Sequence, residues 1–337
     1  MQINRICQLD EIAQPLAPVD APVPSPGADE VLVRVSVCGV CHTELDEIEG
    51  RTPPPVLPVI PGHQVVGIVE ALGENCRRLA LGDRVGIGWI YHSDGGEQEN
   101  LSPEFRATGR DVNGGYAEYI VVPEDYACLI PAEFSDVEAA PLLCAGAIGY
   151  RSLRLCELND GETLGLMGFG GSAHIVLQLA KHLYPDSAVV VFARSEEQQA
   201  FARQLGADWA GGVDDAPPNA PQAIIDTTPA WRPVLAAMEH LAAGGRLVIN
   251  AIRKTDADKS EMAAIDYPRH LWMEKEIKSV ANLCFSDIAE FLPLAAEIPI
   301  HVETEVFALE DANSALQALH RESVRGAKVL DVNSASD

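Results

Sequence analysis

Two cysteines three residues apart, Cys38-Gly-Val-Cys-His-Thr-Glu44, follow an alternating apolar segment and lead the chemistry in this chain. A C-x-x-C pair can serve half of a zinc cluster or a redox couple. No second C-x-x-C follows, and no thioredoxin-like context surrounds this one. Two companions lie far along the chain: Pro61-Gly-His63 ahead of an apolar run, and Cys144 within Pro141-Leu-Leu-Cys-Ala-Gly146. Two thiolates and one imidazole gathered from distant loops form the Cys₂His donor set of a catalytic zinc, which leaves one coordination position for substrate.

A second constellation is Gly168-Phe-Gly-Gly-Ser-Ala173, which fits G-x-G-x-x-G/A. It directly follows the apolar run Thr163 to Met167 and opens a helical pattern, the context a dinucleotide site requires. Gly168 permits a tight turn, Gly170 and Gly171 let backbone approach a pyrophosphate, and Ala173 allows close helix–strand packing. The helix N-terminus supplies N–H groups to the phosphates. At the end of the next strand, where an acid holds the ribose of NAD, stand Ala193-Arg-Ser195, with no carboxylate until Glu196. Arg194 and Ser195 suit a 2′-phosphate, so NADP(H) is expected rather than NAD(H).

Stepping outward, the elements that must carry these groups divide the chain. Up to about residue 146, short alternating runs (Val31 to Val37, Val65 to Ala71, Asp83 to Ile87, Ala117 to Val122) separated by Pro and Gly turns read as a β-rich region. From Glu138 to Leu158 the spacing is helical. Strands at Ala188 to Phe192, Ala223 to Asp226 and Arg246 to Asn250 then alternate with helices at Glu196 to Leu205 and Trp231 to Leu241, which predicts a doubly wound parallel sheet. After about Ala281 the pattern becomes mixed, ending in a helix (Leu309 to Leu319) and a strand (Ala327 to Val332). The expected architecture is α/β: a catalytic domain of residues 1–146 and 283–337, interrupted by a Rossmann domain of residues 147–282.

The chain has 337 residues, 47% hydrophobic, with 24 Lys and Arg against 50 Asp and Glu and a net charge of −26. A surface this acidic repels phosphate backbones and anionic lipid, so neither nucleic acid nor membrane is an expected partner. No apolar run approaches a membrane span. The acidic N-terminal stretch does not read as a secretory signal, and eight scattered cysteines do not read as a disulfide framework, so a cytoplasmic address is expected.

Gly39-Val-Cys-His-Thr43, Gly62-His63, Gly82-Asp-Arg-Val85, Gly114-Gly-Tyr-Ala-Glu118, Leu142-Leu-Cys-Ala-Gly146 and Gly168-Phe-Gly-Gly171, in this order and spacing, resemble the zinc-dependent alcohol dehydrogenases of the medium-chain dehydrogenase/reductase family over essentially the whole chain. Ile249-Asn-Ala-Ile-Arg253 and Arg269 to Lys278 resemble a bacterial subgroup of it. The resemblance implies a GroES-like catalytic domain and reversible hydride transfer between an alcohol and NAD(P). Cys41, His63 and Cys144 would then be the zinc ligands and Cys38 structural. Thr43 would bond the substrate oxygen and start a proton relay, His42 would lie near the pyrophosphate, Glu44 would orient His63, and Trp89 would wall the pocket. Asp46 stands where the relay usually ends in His, and Gln64 where a Glu often follows the ligand. The lobe that normally carries four cysteines for a structural zinc reads Ser93 to Ser102 with none, so one zinc per chain is expected. The family's self-association implies a homodimer or homotetramer. The alternatives are a zinc-free enone or quinone reductase on the same fold, disfavoured by the Cys/His/Cys set, and a non-catalytic nicotinamide-nucleotide sensor.

Overall fold

The computed structural model describes residues 2–298, 300–321 and 326–334; Met1 and 335–337, the ends of the expected catalytic domain, lie outside them. The chain forms two compact units, Met1–Ala147 with Asn282–Asp337, and Ile148–Ala281.

The first unit is built on a seven-stranded sheet. Strands Thr304–Ala308, Ala327–Asp331, Glu30–Val40, Val65–Leu72, Arg84–Ile87 and Ala127–Leu129 follow one another across it, and Tyr119–Pro123 also pairs with Glu30–Val40. Every pairing is antiparallel except that of Thr304–Ala308 with Ala327–Asp331. The long strand Glu30–Val40 alternates as the sequence predicts, with Val31, Val33, Val35 and Val37 inward. Two register shifts, between Leu32 and Val33 and between Val35 and Val37, bend it before it delivers Cys41.

The residues after that strand, expected as a loop, form the helix His42–Ile48. No Gly or Pro interrupts them, and the Glu44 carboxylate accepts the Cys41 N–H at 2.8 Å, tying down the first turn from its third position. The expected continuous helix over 138–158 is also modified. It runs as Asp136–Pro141, a π-turn Leu142–Gly146, then Ala147–Cys156. Pro141 has no N–H to give the preceding turn, and the wider turn that follows re-aims Cys144. At the C-terminal end the helix begins as a short 3₁₀ turn, Leu309–Asp311, before Ala312–Arg321.

The second unit holds a six-stranded, wholly parallel sheet in the order Trp209–Gly211, Val189–Phe192, Leu164–Met167, Ala223–Asp226, Arg246–Ile249, Glu276–Ser279. The first strand in sequence, Leu164–Met167, sits mid-sheet and the chain winds outward on both sides of it, the Rossmann order. The two outermost strands were not anticipated. Trp209–Gly211 has three residues, and Glu276–Ser279 is exposed at every position, so neither carries a periodic signal. Among the described residues no helix is long and apolar enough to cross a membrane.

Candidate functional site

Within the first unit, one ligand atom from each of Cys41, His63 and Cys144 lies within 4.8 Å of the others. Nε2 of His63 is 3.2 Å from Sγ of Cys144. Each residue is delivered by a different device. Cys41 stands at the head of His42–Ile48, and Cys144 sits at the centre of the π-turn. His63 leaves a loop laced to the Gly114–Tyr116 segment: the N–H groups of Gly114, Gly115 and Tyr116 donate to the carbonyls of Ile60, Gly62 and Pro61 at 2.7–3.0 Å. Gly62, at φ 97°, is required there, because a Cβ would stand 2.4 Å from the Tyr116 ring.

The carboxylate of Glu44 ties two of the three donors together. Its Oε2 accepts the Cys41 N–H, and its Oε1 lies 2.7 Å from Nδ1 of His63. Both side chains are buried, and neither of those two atoms has another hydrogen-bond partner. Burial favours neutral His63, yet the Glu44 carboxylate and Cys41 outweigh it and hold the ring well above its ordinary pKa. A hydrogen bond from the Cys144 thiol, with His63 beside it, holds Cys41 well below the usual thiol range against the opposing effect of burial. The same hydrogen bond, with burial, pushes Cys144 up. The three groups thus share protons that a divalent cation displaces on binding. Two sulfurs and an imidazole within this span, with the far ring nitrogen held by a carboxylate, match the chemistry of a zinc centre. Cys38 lies outside the trio; it is fully buried in its strand, and burial pushes its thiol well up.

The other expected residues fall around this trio. Oγ1 of Thr43 is 3.5 Å from Cys41 Sγ. His42 is exposed. Asp46 is buried and accepts a 2.6 Å hydrogen bond from Nε of Arg51, which fixes its carboxylate in place. Gln64 is buried against Gly39, where a Cβ would come within 2.9 Å of its side chain. The indole of Trp89 meets the His63 ring edge-on, centroids 4.8 Å apart at 77°.

The lobe Ser93 to Ser102 is organised by a carboxylate. Glu99, buried, accepts from Ser93 Oγ at 2.7 Å, from Tyr126 OH at 3.4 Å and from the Phe285 N–H at 2.6 Å. Of the lobe's three acidic residues, Asp94, Glu97 and Glu99, only Glu99 is buried. Glu47, which the sequence reading passed over, is also buried, and its Oε1 has no hydrogen-bond partner. The available signal was its spacing from Glu44, one turn on along the same helix.

In the second unit, Gly168 sits at the end of Leu164–Met167 with φ 86°. A Cβ there would come 3.0 Å from both Thr227 Oγ1 and Thr228 Cγ2. Those threonines directly follow the adjacent strand Ala223–Asp226, so the glycine turn lies at the point where strand order reverses, the binding crevice of this fold. Cβ atoms at Gly170 and Gly171 would meet nothing within 4 Å, which leaves their backbone approachable. Ala173 is fully buried at the head of the helix Ala173–Leu183. Beneath the turn, Lys254 Nζ pairs with the buried carboxylate of Asp226 and donates to the Thr228 carbonyl at 2.7 Å. Arg194 is exposed, with no side-chain partner among the described residues. Ser195 caps the helix Glu196–Gln204, accepting the Gln198 N–H at 3.2 Å.

A β-rich unit with a Cys/His/Cys centre and a Rossmann unit with a glycine turn together define a zinc-type dehydrogenase of two-domain architecture. Comparison with known proteins narrows this. Residues 27–132 match the model of the alcohol dehydrogenase GroES-like domain. The chain is 42% identical over 327 residues to the Mycobacterium tuberculosis protein named probable alcohol dehydrogenase AdhA, covering 94% of this chain and 92% of that one. It is 32% identical to an alcohol dehydrogenase of Geobacillus stearothermophilus, covering 96% and 98%. Among solved structures, a cinnamyl alcohol dehydrogenase from Sorghum bicolor superposes with a TM-score of 0.87 at 27% identity, with 99% of each chain covered. The chain belongs to the zinc-dependent alcohol dehydrogenases of the medium-chain dehydrogenase/reductase family, and is an NAD(P)-dependent alcohol/aldehyde oxidoreductase.

Proposed function

We propose that Cys41, His63 and Cys144 hold a single zinc ion, and that NADP(H) is the preferred coenzyme for interconverting a small alcohol and its aldehyde or ketone. The convergence of the three donors within 4.8 Å carries this reading. When bound, zinc supplies Lewis-acid assistance to the substrate oxygen and the nicotinamide supplies or accepts the hydride. The chain's own residues do the rest. Glu44 fixes the ring orientation of His63 and the head of the helix that presents Cys41. Thr43, beside Cys41, accepts the alcohol proton at Oγ1 while passing its own hydroxyl proton outward. Asp46, fixed by Arg51, stands on the buried side of the same helix where a relay could end, and exposed His42 is available to phosphate. Trp89 walls the pocket.

The preference for NADP(H) rests on unpaired, exposed Arg194 beside Ser195, with no carboxylate until Glu196. A kcat/KM for NADPH above that for NADH, reversed in Arg194→Ala, is the expected result. A single zinc is supported by the all-protein staple at Glu99 in the lobe from Ser93 to Ser102; metal analysis returning two ions per chain would refute it. Self-association into a homodimer or homotetramer is supported by the exposed edge strand Glu276–Ser279 with the exposed side chains of Trp272, Met273 and Ile277 nearby. Sedimentation of a monomer at micromolar concentration would exclude it. A cytoplasmic address is part of the same reading, supported by eight cysteines none of which is joined in a disulfide. The decisive test is alcohol oxidation by the zinc-loaded chain: turnover lost in Cys41→Ala, with coenzyme binding retained, is expected. Undiminished turnover in that variant would remove the metal from the reaction and favour the zinc-free reductase.

A further inference from the structure

Trp89 is held by more than packing. Its indole N–H donates to Oδ1 of Asn282 at 3.0 Å, and Nδ2 of the same amide donates to the Asn100 carbonyl at 2.9 Å. The two bonds fix the amide's orientation, since a flipped amide would oppose donor to donor and acceptor to acceptor. Asn282 is the first residue of the chain's return to the first unit. Its φ is 53°, in the left-handed region that Asn tolerates and most side chains do not. Leu283 and Cys284, which follow, are buried, and Cys284 Sγ lies 3.2 Å from Oδ1 of Asn100, so the anchor is itself anchored.

An indole turns about two side-chain torsions, and the Nε1 bond removes the freedom of the second. The ring then meets His63 at one distance and one angle. We propose that Asn282 is a positioning residue for substrate selectivity: by pinning the indole of Trp89 against His63, it sets how wide a substrate the space beside the metal donors admits. This rests on the alcohol dehydrogenase reading above. Asn282 touches neither the donors nor the coenzyme turn in its own hydrogen bonding, so it acts only through the tryptophan.

Two substitutions separate the amide from the backbone. Asn282→Gly keeps the left-handed conformation and removes both hydrogen bonds. Asn282→Asp tolerates the same backbone and keeps an oxygen for the indole N–H, losing only the bond to Asn100. Full-length, zinc-loaded variants are compared by kcat/KM for benzyl alcohol against 1-butanol, with zinc content and coenzyme Kd as controls. In metal-free protein, Trp89 emission is isolated by subtracting Trp89→Phe. The Gly variant is expected to move the benzyl-to-butyl ratio about five- to ten-fold, the scale of one neutral buried hydrogen bond, and to shift Trp89 emission. The Asp variant stays near wild type in both. Unchanged ratio and emission in Asn282→Gly, or equal shifts in both variants, would overturn the proposal. Wild-type protein that oxidises neither alcohol would fail the broader reading instead, and the emission comparison would still decide the role of Asn282.

Discussion

The buried carboxyl of Glu47 makes a pH-dependent claim on stability. It is 2% exposed and lacks a hydrogen bond at Oε1. Burial, with the nearby Glu44 charge adding and His63 and Arg110 opposing, pushes it from an ordinary 4.5 up to about 9. The folded state therefore binds this proton more tightly than the unfolded chain. Stability from this group is fullest below about pH 4.5 and is lost as pH rises toward about 9. Each pH unit in that window removes up to about 1.4 kcal/mol, an upper limit of about 4–5 kcal/mol by pH 8. Glu47→Gln has no proton to lose, so the variant should match wild type near pH 5 and exceed it by several kcal/mol at pH 8. Trp89 is the only tryptophan of the first unit, so its fluorescence during urea unfolding reports on the right part of the chain. A cation held by the nearby donors favours the carboxylate, so the divergence should be steepest in metal-depleted protein. Parallel stability curves for the two proteins from pH 5 to 8 would refute the reasoning.

Other outcomes follow from the same geometry. Glu44→Gln loses the carboxylate that serves both the Cys41 N–H and the His63 ring, and zinc affinity should fall about 10–100-fold in chelator competition. Lys254→Met leaves Asp226 charged and unpaired in a fully buried position, at a cost of about 3–5 kcal/mol in denaturant unfolding; adding Asp226→Asn should recover part of the loss. Glu99→Ala strips the Phe285 N–H and two hydroxyls of their acceptor, and a loss of about 1–3 kcal/mol with zinc content unchanged is expected. Zinc lost along with that stability would instead show that the lobe contributes to the metal centre.

How much of this was legible in the sequence depended on whether a local pattern carried the constraint. Gly168 was readable because a strand, a left-handed turn and a helix follow one another within ten residues, and no distant contact is needed to recognise them. The seven-stranded sheet was readable strand by strand, since Val31 to Val37 alternates against one buried face. The edge strand Glu276–Ser279 was not, because its neighbour Arg246–Ile249 imposes the extended form and its own side chains are exposed throughout. The helix at His42–Ile48 escaped for the opposite reason: its start depends on Glu44 reaching back to Cys41, and its buried face is acidic, so an apolar-periodicity argument has nothing to find. Cys144 shows the limit most clearly. Helical spacing across 138–158 was real, yet the π-turn that Pro141 allows decides where Sγ of Cys144 points, and a shift of one residue in the hydrogen-bond ladder carries no signature in residue type. Of the buried acidic groups, Glu44 was legible only through the family resemblance, while Glu47 and Glu99 carry no pattern that separates them from a solvated negative surface. Burial separates them from it, and each then does a different job: Glu44 serves the Cys41 N–H and the His63 ring, Glu47 holds a proton, and Glu99 ties its loop to Tyr126 and the Phe285 N–H. Charge in this chain is therefore informative only after the fold has sorted which carboxylates leave water, and that sorting is done by contacts between residues tens to hundreds of positions apart.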